Sequence, residues 1–175
     1  MTKSLIIYSS TDGHTKTICE RIVNFSKDRN TVKIISLDQV TEFDLSKFDK
    51  IIIGASIRYG KYSKKLYRFI QSNRNLLNDK QNTFFSVNVV ARKPNKNTPD
   101  TNPYIKKFLK ISNWTPKKIG VFAGKVDYPK YNFFDKYMIK FIMFITDGPT
   151  DTSQSYEFTD WSKVDIFAKE IWKNT

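Results

Sequence analysis

Five short runs, each close to continuous in Ile, Val, Leu or Phe, most constrain what this chain can fold into. They are SLIIY (4–8), VKIIS (32–36), KIIIGA (50–55), TFFSVNVVA (83–91) and KKIGVFAG (117–124). A strand with one wet face alternates apolar and polar residues. A strand covered on both faces does not, and that is the condition of strands in a parallel sheet. Between the runs the apolar spacing lengthens to three and four residues. Ile18, Ile22 and Val23 mark one helix, Leu66, Phe69, Ile70 and Leu77 a second with Ser63 as its N-cap, and Ile105, Phe108 and Leu109 a shorter third. Asp160 caps a last helix carrying Trp161, Val164, Phe167, Ala168, Ile171 and Trp172. Strand and helix alternating at this spacing is the pattern of an α/β doubly wound sandwich with a five-stranded parallel sheet.

The last third departs from that rhythm. After GVFAG a short loop and the final helix are expected, yet KVDYPKYNFFDKYMIKFIMFITDGPTDT and a strand-like SYEFT intervene. An insertion at about 124–148 is therefore expected near the last strand of a single domain over residues 1–175. The 175 residues suffice for one full core. No repeat or low-complexity tract is visible.

The formal net charge of +13 favours anionic partners: nucleic acid, an anionic membrane surface or a small acidic substrate. One cysteine, Cys19, excludes an internal disulfide and a multi-cysteine metal site, and its apolar surroundings read as a buried thiol. A single histidine, His14, cannot supply a histidine-rich metal site. Lys3 leads directly into a strand-like run without a cleavage region, and no apolar run reaches the roughly 20 residues that span a bilayer. The expectation is an intracellular protein, soluble or lying on a membrane.

The turn after the first strand, SSTDGHT, is the place where such a sheet binds ligands, at the carboxyl ends of its strands. It offers the hydroxyls of Ser9, Ser10, Thr11 and Thr15, and Gly13 for tight backbone geometry. Successive N–H groups leading into a helix make a phosphate cradle. The turn has neither the Gly-Lys-Ser ending of a Walker loop nor the Gly-x-Gly-x-x-Gly of a dinucleotide turn.

Ser10-Thr11-Asp12-Gly13-His14-Thr15 resembles the flavodoxin phosphate loop, Thr/Ser-x-Thr-Gly-Asn-Thr, with Asp12 in place of the threonine and His14 in place of the asparagine. A carboxylate beside a phosphate is unfavourable unless it turns away, for instance to cap the helix. IIIGASIRYGKY, SVNVVARKPNKNTPDTNPYIKKFL, AGKVDYPKYNFFDKYMIKFIMFI and YEFTDW resemble, more narrowly, the quinone-dependent protoporphyrinogen oxidases of bacterial haem synthesis, a flavodoxin-like family. The likeness runs along essentially the whole chain. It implies a flavodoxin-like fold and FMN held through its phosphate. It also implies oxidation of protoporphyrinogen IX, with menaquinone or ubiquinone as acceptor. The implied setting is the cytoplasm, at an anionic membrane surface on the inner face of the cell membrane.

The same resemblance places Ser56, Ile57, Arg58, Tyr59 and Gly60 along one border of the flavin ring, and Asn88, Val89, Ala91 and Arg92 along the other. Flavin chemistry requires no protein nucleophile, so no catalytic side chain and no metal are expected. The flat substrate carries two propionates. Arg92, able to pair bidentately, is the first expected anchor, with Lys93 and Lys130 behind it and Tyr128 and Tyr131 as aromatic walls. The segment 133–145 is apolar over most of its circumference, with Asp135, Lys136 and Lys140 on one face. It reads either as a helix docked on the core or as a lip whose outer side meets lipid. Competing functions are an electron-carrier flavodoxin, a quinone reductase fed by NAD(P)H, and a basic module without catalysis. The absence of a nucleic-acid motif argues against a nucleic-acid partner.

Overall fold

In a computed structural model, which describes residues 2–173, the parallel strands β1 (Ser4–Ser9), β2 (Val32–Ser36), β3 (Lys50–Ser56), β4 (Gln81–Val87) and β5 (Ile119–Phe122) form one sheet in the order β2-β1-β3-β4-β5. Successive side chains of a strand point to opposite faces. Leu5 and Ile7 therefore face one layer and Ile6 the other, as Ile51 and Ile53 do against Ile52. The first layer holds helices α2 (Lys64–Asp79) and α3 (Pro103–Ser112), which deliver Leu66, Ile70, Ile105 and Phe108. The second holds α1 (His14–Val23) and α5 (Trp161–Trp172), which deliver Ile18, Cys19, Ile22, Val164 and Phe167. Each fully buried side chain of this size stabilises by about 1.5–3 kcal/mol.

Ser63 and Asp160 cap α2 and α5, each side chain accepting a backbone N–H. Two apolar runs are shorter as strands than as sequence. β4 stops at Val87 because the Asn88 side chain accepts the Ala91 N–H at 3.0 Å, coiling 89–92 into a 3₁₀ turn. β5 likewise covers only the middle of 117–124.

The insertion is a small structure of its own. Strand β6 (Lys125–Asp127), helix α4 (Phe133–Ile145) and strand β7 (Ser155–Glu157) follow β5, and β7 pairs antiparallel with β6. The module thus runs past 148 to Glu157, because its last strand returns to its first. Its ends are joined: the Phe158 N–H donates to the Gly124 carbonyl at 3.1 Å. Inside, Val126, Tyr128, Ile139 and Met143 form a separate apolar cluster. Among the described residues no helix is long and apolar enough to cross a membrane.

Candidate functional site

The sheet order reverses between β1 and β3, so the loops leaving those strands diverge and leave a crevice at their carboxyl ends. The first loop enters α1 through Gly13, whose φ of +83° lies in the left-handed region. Glycine has no side chain to cap with, and the first turn of α1 contains no acidic residue. The Ser10 hydroxyl accepts the Gly13 N–H at 2.9 Å and tightens the loop. Thr15, in that first turn, buries its hydroxyl without a hydrogen-bond partner among the described residues. A buried hydroxyl beside uncapped helical N–H groups fits the oxygens of a phosphate. FMN's phosphate therefore suits this loop.

Asp12 turns away from the cradle, but not to cap the helix. Arg58, in the loop after β3, donates from Nη1 to Asp12 at 2.8 Å and from Nη2 to Asp135 of α4 at 2.9 Å. The Tyr131 hydroxyl reaches Asp12 at 3.3 Å, and the Tyr59 hydroxyl donates to Asp135. One guanidinium thus joins phosphate loop, flavin-side loop and insertion. Asp135 accordingly does not share a solvent face with Lys136 and Lys140: it points inward to Arg58, and both its oxygens are hydrogen-bonded.

Tyr59 and Gly60 both have positive φ, 48° and 73°, in a tight turn closed by reciprocal hydrogen bonds between Arg58 and Lys61. A Cβ at Gly60 would meet no protein atom within 4 Å, and its left-handed φ is the geometry that the turn requires.

His14 ties the phosphate loop to the far end of the insertion. Thr159 donates its single hydroxyl hydrogen to the Ala123 carbonyl at 2.9 Å, so His14 Nε2, 2.6 Å away, is the donor to Thr159. Burial holds the imidazole pKa below its ordinary value, with Glu157 opposing and Lys125 reinforcing the effect. A group of this kind contributes stability that is present above its unfolded pKa of about 6.5 and is lost as the pH falls through the lower folded value. His14→Gln should therefore flatten the decline of melting temperature between pH about 7 and 5. An unchanged slope in thermal melts would show that His14 is not the titrating group.

On the opposite border, Asn88 is held by a buried network. Tyr62 donates to Ser86 at 2.6 Å, and Asn88 Nδ2 donates to the same Ser86 oxygen at 3.0 Å. A cavity of about 50 Å³ lies between the loops, lined by Ser10, Thr11, Asp12, His14, Thr15, Ser56, Ile57, Arg58, Asn88 and Val89, with Gly124 and Lys125. A second, of about 90 Å³, lies under α4 against Ile57, Arg58, Tyr59, Gly60, Val89, Tyr131, Ile139 and Met143. A third, of about 380 Å³, opens on the β2 side of the same loops. Arg58 borders all three.

Other expected contacts are not where the chemistry needs them. Ala91 is packed into the core, where its N–H is taken by Asn88. Tyr128 is fully buried in the module's cluster, its hydroxyl donating to the Pro149 carbonyl. It is a packing residue and not an aromatic wall. Arg92 donates to the carbonyls of Val89 and Thr146 and so pins the exit of α4. Lys93 pairs with Asp147 at 3.1 Å and Lys130 with Asp127 at 3.1 Å. Arg92 is thus spent on the protein itself, while each lysine makes a single ion pair at the surface. The sequence reading missed Thr159 and the inward role of Asp135, because neither carries a local signal of a partner so far away in the chain.

A phosphate-fitting loop at the switch point of a five-stranded parallel sheet defines a flavodoxin, and the chain belongs to that family: residues 5–153 match the family model described as Flavodoxin domain. Over 97% of its length it is 40% identical to the protoporphyrinogen IX dehydrogenase (quinone) of Escherichia coli strain K12, covering 94% of that protein. It is 42% identical, again over 97% of its length, to the protein of the same name from Leishmania major, covering 74% of it. Among solved structures, a flavodoxin from the domain Archaea aligns with a TM-score of 0.51 at 18% identity over 99% of this chain and 98% of that one. Two-electron reduced Megasphaera elsdenii flavodoxin aligns with a TM-score of 0.52 at 14% identity over 69% and 85%. These likenesses show the fold.

Proposed function

We propose that this chain is an FMN-dependent oxidoreductase that removes hydrogen from protoporphyrinogen IX and passes the electrons to a quinone. The observation that carries the reading is 40% identity over almost the full length of both chains with a protoporphyrinogen IX dehydrogenase (quinone). FMN, when bound, accepts electrons from the porphyrinogen and yields them to the quinone. The residues of the chain bind, orient and shield. Gly13 and the first turn of α1 would receive the phosphate, with the Thr15 hydroxyl beside it. The loops at 56–60 and 88–92 would border the ring. Val89, Tyr131, Ile139 and Met143 supply an apolar ceiling that excludes water and suits a flat macrocycle.

The outer side of α4 supports a location at a membrane surface. Phe133, Phe134, Tyr137, Phe141, Phe144 and Ile145 are exposed by 56–79%, while only Ile139 and Met143 are buried. A contiguous apolar patch on a monomer's surface is unusual and marks contact with a partner or a lipid phase. Lys136 and Lys140 flank it, and the whole chain carries +13. Such a helix suits the interface of an anionic bilayer, where a menaquinone or ubiquinone dissolves. On this reading the protein is cytoplasmic and peripheral to the inner face of the cell membrane.

Anaerobic mixing of the FMN-loaded protein with protoporphyrinogen IX should bleach the flavin absorbance, and a quinone should restore it. Bleaching by NAD(P)H and not by porphyrinogen would overturn the assignment. Flotation with phosphatidylglycerol vesicles should weaken as salt is raised, since the screening length falls to about 3 Å at 1 M. Salt-independent flotation would remove the charge from the account.

A further inference from the structure

Resting on that reading, we infer that the recess of about 380 Å³ on the β2 side of the flavin loop, framed by Lys61 and Lys64, receives a propionate carboxylate of the substrate. Its lining contains four cations and a single carboxylate. Two of the cations are neutralised: Arg58 by Asp12 and Asp135, and Lys65 by Asp38. Lys61 and Lys64 have no ion-pair partner among the described residues.

The position of Lys64 is electrostatically costly. Lys64 opens α2, where the helix dipole disfavours a cation, and the first turn contains no acidic residue to offset it. Lys61 stands directly opposite Arg58 across the tight turn, and because Arg58 is already matched by Asp12 and Asp135, Lys61 is left as the turn's unpaired cation. Two unpaired cations at the rim of an open recess, one of them held against a helix dipole, form a site for an anion. The hydroxyls of Ser10 and Ser63 in the same lining each accept a backbone N–H and keep a hydrogen to donate to the anion's oxygens.

Place and size select the anion. Ser56 and Tyr59 belong both to this recess and to the flavin-side loop, so a molecule reacting at the flavin can extend an acidic arm into it. The cofactor's phosphate has its own cradle at Gly13 and Thr15. Nearer the insertion, Arg92 is spent on backbone carbonyls and Lys93 and Lys130 each face a carboxylate, whereas Lys61 and Lys64 face none.

The test is binding of protoporphyrin IX and of its dimethyl ester to the FMN-loaded protein, followed by porphyrin fluorescence. The ester keeps the ring and removes the charges. The unaltered protein should prefer the diacid, and Lys61→Gln/Lys64→Gln should weaken diacid binding by roughly ten-fold while leaving the ester unaffected. Lys61→Arg/Lys64→Arg should keep the preference, and FMN content should be equal in all three. An undiminished diacid preference in the glutamine variant overturns the inference. Loss of FMN from that variant overturns it by giving the recess to the cofactor. Loss of phosphatidylglycerol vesicle binding with the diacid preference intact overturns it in favour of a lipid phosphate. The underlying functional reading fails separately: the unaltered protein would then not be bleached by protoporphyrinogen, and the recess would lose its proposed ligand with it.

Discussion

Excision of residues 125–157, with Gly124 and Phe158 rejoined through about three Gly/Ser residues, should leave a folded protein that retains FMN and has lost porphyrinogen oxidation entirely. Gly124 and Phe158 are already hydrogen-bonded, so the cut ends lie side by side. The two large clusters that hold α1, α2, α3 and α5 to the sheet draw no fully buried residue from the module, whose own four are gathered separately. Thr159 lies beyond the cut and keeps its bonds to His14 and Ala123. What disappears is the ceiling of Tyr131, Ile139 and Met143 and the exposed face of α4. Activity and vesicle flotation should therefore vanish together, while a cooperative melt and flavin binding persist. Oxidation at the parent rate would refute the assignment of substrate cover to the module. Failure to fold would show that α4 belongs to the core.

Replacing Gly13 with valine should raise the dissociation constant of FMN by about ten-fold or more, with little change in melting temperature of the flavin-free protein. A Cβ at Gly13 meets no protein atom within 4 Å, so the Cβ itself is accommodated. The cost is conformational: at φ +83° an L-residue is disfavoured by roughly 1–2 kcal/mol, most severely a β-branched one. The loop relieves it by rotating, which swings the N–H groups of α1's first turn off the phosphate. Titration with FMN, read by quenching of flavin fluorescence, measures the change. Equal affinity in the two proteins would place the phosphate elsewhere.

Much of this architecture was legible in the sequence because it obeys local rules. Continuous Ile and Val in β1 and β3 announce burial on both faces, and Ser63 and Asp160 announce helix starts. The left-handed turn into α1 was legible because Gly13 announces it locally. The substrate side was not. Arg92 and Lys130 were read as free cations because a sequence shows a charge and not its partner. Arg92 is bonded to Thr146, 54 positions on, while Lys130 finds Asp127 only through the turn geometry at Tyr128–Lys130. The run 83–91 was read as one strand because Val89 and Val90 are strand formers. The Asn88 side chain, capping the turn, overrides that propensity.

The guanidinium shared by Asp12 and Asp135 bears on what can be transplanted. A graft of residues 125–157 onto a carrier with threonine at position 12 would bring α4 and its exposed aromatics but only part of its fastening. Arg58 would lose one of its two acidic partners, and Tyr131 the oxygen its hydroxyl reaches. Asp12, which looks like a blemish in a phosphate loop, is thus the docking half of an appended part. Loop and insertion are one fastening, made by residues 119 positions apart in the chain.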